Sequence, residues 1–148
     1  MGNAQIVLRE WCIRFLENRD AIKKEIESVL DSTDDSFRIK YKTGIQEFLI
    51  CMQLDESFFQ RVTPNTKGVF VLQNNSSITF LIKEWKEFCE LKNVMFYFSN
   101  PFSKRELFWI INPSVHNQIC DPESLEKGIH AMAEMVDYTS EKDVEESS

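Results

Sequence analysis

The stretch Phe37-Arg38-Ile39-Lys40-Tyr41-Lys42 decides the fold class. Apolar and basic residues alternate at every step. Phe37, Ile39 and Tyr41 turn one way, and Arg38, Lys40 and Lys42 turn the other. A period of two is the signature of a β-strand with one buried and one wet face. Thr43-Gly44 follows as a turn signal, and residues 45–54 read as a second strand, so the pair predicts a hairpin. An apolar run of that length also fits a short helix. Further on, Val69-Phe70-Val71-Leu72 forms the core of a third, buried strand over residues 68–73.

Upstream, residues 4–30 read as a long amphipathic helix, or as two helices meeting near Asn18. Leu8, Trp11, Cys12, Phe15 and Leu16 keep helical spacing, and Ile22, Ile26, Val29 and Leu30 continue it. Arg9, Arg14, Glu17, Lys23, Lys24, Glu25 and Glu27 fill the other side. The polar run 31–36 is expected to be a loop.

Downstream, residues 55–67 form a connection with a helical turn at 56–60 and a bend at Pro64-Asn65. Capping residues at 74–77 open a helix over 77–91, where Ile78, Leu81, Ile82, Trp85, Phe88 and Cys89 fit the three-and-four spacing. Asn93 closes that helix. Residues 94–99 read as a strand, and Asn100-Pro101 begins a turn. Residues 106–112 read as the next strand, with Leu107, Trp109 and Ile111 on one face and Phe108 and Ile110 on the other. Residues 113–120 are expected to be a loop. Asp121-Pro122-Glu123 starts a last helix, with Asp as cap, Pro at the first helical position and an acid in the first turn. Leu125, Ile129, Met132 and Val136 line its apolar face.

The expected architecture is an α+β single domain over residues 1–138 with the element order α-β-β-β-α-β-β-α. Helices pack on a mixed or mostly antiparallel five-stranded sheet. Residues 139–148 carry no hydrophobic face and read as a flexible acidic tail.

The 24 acidic and 17 basic residues leave a formal net charge of -7, which disfavours nucleic acid as a partner. No apolar run reaches the length of a membrane span, and the polar residues 1–5 do not open a signal peptide. The cysteines Cys12, Cys51, Cys89 and Cys120 are widely spaced and lie in or beside apolar runs, so reduced thiols in the cytoplasm are expected.

Little in the sequence points to catalysis. The histidines are His116 and His130. His116 and Asn117 lie in the polar segment between a strand end and a helix start, where function often resides, and are candidate binding residues. Phe108 and Trp109 join them, because an aromatic strand that is apolar on both faces needs covering on both sides. Phe96, Tyr97, Phe98 and Phe102 crowd the same hairpin. Two histidines without paired cysteines do not make a familiar metal site, so neither a metal nor a cofactor is expected. None of the glycine-rich, Ser-elbow or paired-His motifs that mark catalysis or nucleotide binding occurs.

In element order, residues 4–99 resemble the core of the restriction-endonuclease-like fold. That resemblance implies an acid near the second strand, which Asp55 matches, and a Glu-x-Lys or Gln-x-Lys on the third. Gln73 fits the first position of that motif, but Asn75 stands where the lysine belongs, which removes the charge that would steady the attacking hydroxide or the phosphate. Over the whole chain, order, size and acidity also resemble the class I chaperones of type III secretion, which are small, dimeric and hold an extended partner segment. The sequence therefore favours a binding protein acting through a protein partner or through homodimer formation. A degenerate nuclease-like domain and a small hydrolase using His116 are the alternatives.

Overall fold

A computed structural model describes residues 2–33, 35–92, 94–100, 108–119, 122–134 and 136; at 2–4, 31, 32, 117–119, 122 and 123 it describes the backbone alone. Helix α1 (Gly2–Arg19) leads into β1 (Ile26–Ser32), β2 (Ser36–Tyr41) and β3 (Gly44–Cys51). The short α2 (Phe58–Arg61) precedes β4 (Thr66–Leu72), and α3 (Asn75–Lys83) with α4 (Trp85–Cys89) precedes β5 (Met95–Ser99). Strand β6 (Phe108–Ile111), α5 (Pro113–Ile119) and α6 (Pro122–Ala133) follow. The fold mixes helices with one mixed sheet in the order anticipated from the sequence, with six strands in place of five.

The strands lie side by side in chain order. β1, β2 and β3 form an antiparallel meander, in which Tyr41 pairs with Gly44 across the hairpin turn. Gly44 takes φ +144°, a conformation that side chains rarely adopt. β3–β4 and β4–β5 are parallel, each step bridged by helix, and β5–β6 is antiparallel again. Alternation then sorts the side chains. Phe37, Ile39, Phe48, Ile50, Phe70 and Leu72 meet α1 through Leu8, Cys12 and Leu16. Leu49, Cys51, Val69, Val71, Phe96, Phe98, Trp109 and Ile111 meet the other helices through Phe58, Ile78, Leu81, Phe88, Ile129 and Ala133. Gly68 lies where a Cβ would come within 2.6 Å of the Phe48 ring, so this part of the α1 face has no room for a side chain.

The structure corrects several expectations. Residues 20–30 do not extend the first helix. Asp20 accepts the backbone N–H groups of Glu25 (2.9 Å) and Ile26 (2.8 Å) on its two carboxylate oxygens and turns the chain into β1. Lys24, at φ 52°, completes the turn, and Ile22 is 94% exposed. Strand β1 then runs through part of the expected 31–36 loop, and Val29 pairs with Ile39. The spacing of Ile22, Ile26, Val29 and Leu30 fits a helix, but β2 offers an open edge, and pairing with it overrides local preference. β3 ends at Cys51 rather than at 54, because Leu54 gives its N–H to Ser77 Oγ at 2.9 Å instead of a strand. The single helix expected over 77–91 is two, broken at Glu84, while Asn74 caps the first by accepting the Ser77 N–H at 2.8 Å. The loop expected at 113–120 is largely helix α5. Asn112 accepts the N–H groups of Val115 and His116 there, with Pro113 at the first helical position.

The Asn93 stop, residues 101–107 (Pro101, Phe102 and Leu107 included), Cys120, the Asp121 cap and the 139–148 tail lie outside the described residues.

Asp20→Ala removes both hydrogen bonds that end α1. It is expected to lower unfolding stability by about 1–2 kcal/mol, read as a lower urea midpoint with an unchanged slope.

Candidate functional site

The buried stripe of α1 is Leu8, Cys12 and Leu16. Next to it on the helix runs a second stripe: Trp11, Arg14, Phe15, Asn18 and Arg19, spaced i, i+3, i+4, i+7, i+8. These residues and Phe108 of the edge strand β6 line a groove of about 340 Å³. The rings form a continuous wall. Trp11 stacks on Phe15 at 5.2 Å, and Phe15 meets Phe108 edge-on at 4.7 Å. Behind them Phe15 also touches Phe70 and Tyr97, which tie the wall to the sheet.

One cation of the groove lies against those rings. The Arg19 guanidinium lies 5.4 Å from the Phe15 centroid and 5.6 Å from that of Phe108. Its charge reaches the sheet: burial pushes the Tyr97 phenol up, and Arg19 opposes the rise. Burial likewise pushes Tyr41 up to about 12, with Tyr97 and Asp20 adding to the rise and Arg19 again opposing it. Among the described residues, neither Arg14 nor Arg19 takes part in an ion pair.

Of the residues singled out in the sequence, Phe108 and Trp109 point to opposite faces of the sheet. Phe108 belongs to the groove, half-buried. Trp109 points to the opposite face of the sheet, 4% exposed, stacked on Phe98 at 4.2 Å. Its indole N–H donates to Gln73 Oε1 at 2.8 Å. Helices of this chain thus cover the Trp109 face of the β5–β6 pair, while on the other face Phe15 of α1 meets Tyr97 and Phe108 beside the groove. His116 sits on α5, edge-on to the Trp85 ring at 5.8 Å. The side chain of Asn117 lies outside the described residues.

Asp55 and Gln73, the positions matched to the endonuclease-like core, have different duties. Asp55 is exposed and accepts the Ser57 N–H at 3.0 Å at the start of α2. Gln73 is 0% exposed. Its amide N–H groups donate to the backbone carbonyls of Ala133 at 2.9 Å and Val136 at 3.4 Å, while its oxygen receives Trp109. The residue fastens β4 to β6 and to the end of α6. The basic strand face is also balanced by acids. Lys40 pairs with Glu27 at 3.6 Å, and Arg38 lies opposite Glu47 in the β2–β3 register. Among the described residues no group of three His, Cys, Asp or Glu side chains is placed to hold a metal ion, and no helix is long and apolar enough to cross a membrane.

The thiols have a physical role that can be tested. Cys12, Cys51 and Cys89 are free, and the first two are buried. Burial pushes Cys12 up and Cys51 up to about 11, the latter despite the Arg61 guanidinium 3.6 Å from its sulfur. A thiol whose folded pKa is raised keeps its neutral form in the fold. Its contribution to stability is complete below the unfolded value near 9 and is lost as pH rises toward about 11. Unfolding midpoints are therefore expected to fall across that alkaline window, and Cys12 and Cys51 to resist thiol reagents at neutral pH until the chain unfolds.

The groove itself was not read from the sequence. Helical spacing alone puts Trp11 and Phe15 with the core and Arg14 on the solvent side. The available signal was the i, i+3, i+4, i+7, i+8 run of rings and guanidiniums. Phe108, the opposite wall, is brought to it only by the fold. No protein-family profile, curated protein or solved structure matches this chain.

Proposed function

We propose that this chain is a binding protein that acts through protein–protein contact, seating a segment of its partner in the groove between α1 and β6. The observation that carries the reading is the wall of Trp11, Phe15 and Phe108 flanked by Arg14 and Arg19. Trp and Arg are the residue types that most often dominate binding energy at protein interfaces. Rings already packed on one another lose little freedom when a partner arrives. The helices over the Trp109 face remove the need for a partner on that side, and the proposed contact falls on the Phe108 side, beside α1. Unlinked Cys12, Cys51 and Cys89 suit a reducing compartment such as the cytoplasm.

The test is a selection from displayed random peptides on the wild-type chain, followed by affinity measurement on Asn18→Trp. Asn18 is exposed on the groove wall, so a larger ring there fills the groove without entering the core. Enriched peptides are expected to lose about tenfold or more in affinity on the variant. Equal affinity for both proteins would place the contact elsewhere and overturn the reading.

A further inference from the structure

We propose that the occupant of the groove is an acidic peptide segment of a partner protein. An aspartate or glutamate side chain is held by Arg14 and Arg19, and an adjacent apolar or aromatic side chain lies against Trp11, Phe15 and Phe108. This rests on the groove reading above and adds the chemistry of the partner.

The argument begins with the posture of Arg19. The Arg19 guanidinium carbon lies 5.4 and 5.6 Å from the Phe15 and Phe108 centroids, and among the described residues its N–H groups meet no acceptor. Its N–H edge then remains for a planar acceptor, and the natural match is a carboxylate taken in a two-pronged pair. Because the rings already hold the group in place, less side-chain freedom is lost on pairing. Arg14 supplies a second cation lining the same groove, five residues back along α1. The acids nearby on α1 do not cancel this pair. Glu10 is engaged by Arg9 at 3.2 Å, and Glu17 has no ion pair with either guanidinium among the described residues.

The length of the occupant follows from the charge of the whole chain. The groove is a cationic spot on a protein of net charge -7. A long polyanion would meet repulsion on either side of the spot. A short segment with one or two carboxylates feels mainly the local field, because charges beyond about 8–10 Å are screened at physiological salt. The aromatic wall adds the apolar half of the recognition, so a bare carboxylate is not sufficient.

The test measures fluorescence anisotropy of a labelled peptide built from glutamate, tryptophan and phenylalanine, titrated with the full chain. Controls are its glutamine counterpart and a labelled single-stranded oligonucleotide. The acidic peptide is expected to bind saturably, to weaken with added salt, and to lose about tenfold in affinity on the Arg14→Gln, Arg19→Gln double variant. Both arginines are exposed, and unchanged thermal unfolding confirms that the variant is folded. Equal binding of the glutamine peptide overturns the acidic partner; if that binding is lost in Asn18→Trp, the groove reading stands. Tighter binding of the oligonucleotide overturns the inference in favour of a nucleic acid. Peptide binding that neither Asn18→Trp nor the double variant alters overturns both.

Discussion

Gln73→Leu is expected to lower unfolding stability by about 2–4 kcal/mol, through the buried polar groups it leaves behind. The side chain is fully buried and makes hydrogen bonds to three other residues. Leucine fills a similar space but offers nothing to the Trp109 indole N–H or to the Ala133 carbonyl. Each orphaned group then keeps its desolvation cost without a partner, which for buried groups is about 1–3 kcal/mol apiece. Urea unfolding checks the result, with a lower midpoint and an unchanged slope. Asp55→Asn provides the contrast. Asp55 is exposed and serves one local turn, so its loss is expected to stay below about 1 kcal/mol. A nuclease-like site would instead make both residues matter to activity and neither to stability.

Phe70→Ala is expected to have the largest effect, about 3–5 kcal/mol. Phe70 lies at the centre of β4, 0% exposed, with the Tyr97 ring stacked on it at 4.6 Å and Phe15, Phe37 and Phe48 around it. Truncation opens a cavity beneath α1 that these rings fill only in part. It also removes the support behind Phe15, so the surviving folded fraction is expected to bind groove peptides more weakly. Phe70→Leu keeps most of the volume and should retain more of both properties. Thermal unfolding and peptide affinity, measured on both variants, separate cavity from support.

Elements whose pattern and pairing agree were legible from the sequence. Phe37 to Tyr41 alternates and pairs residue by residue with β3 across a tight turn, so period and partner point the same way. Val69 to Leu72 is apolar throughout because β4 lies mid-sheet with helices on both faces. Residues 26–32 misled because their hydrogen bonds come from another strand, while their apolar spacing fits a helix as well. The stop for α1 was a single carboxylate, Asp20, whose acceptors act at positions five and six residues later. Asn112-Pro113-Ser114 carried the same helix-start grammar as Asp121-Pro122-Glu123, and α5 was legible there. Phe108 stands out in the sequence for the hairpin face, whereas its contact with Phe15 comes only from the fold. A site shared by residue 15 and residue 108 depends on tertiary packing, which no local pattern records.

The chain holds three tryptophans, and each reports a different region. Trp11 is in the groove, Trp85 adjoins His116, and Trp109 is in the core beside Gln73. The most direct measurement follows the three indole N–H resonances by two-dimensional NMR while a selected peptide is titrated into the wild-type chain. Contact through the α1–β6 groove predicts that the Trp11 resonance shifts and saturates with the peptide, while the Trp85 resonance stays in place. A shift of Trp85 with Trp11 unmoved would put the contact at the His116 surface and contradict the groove as the binding site.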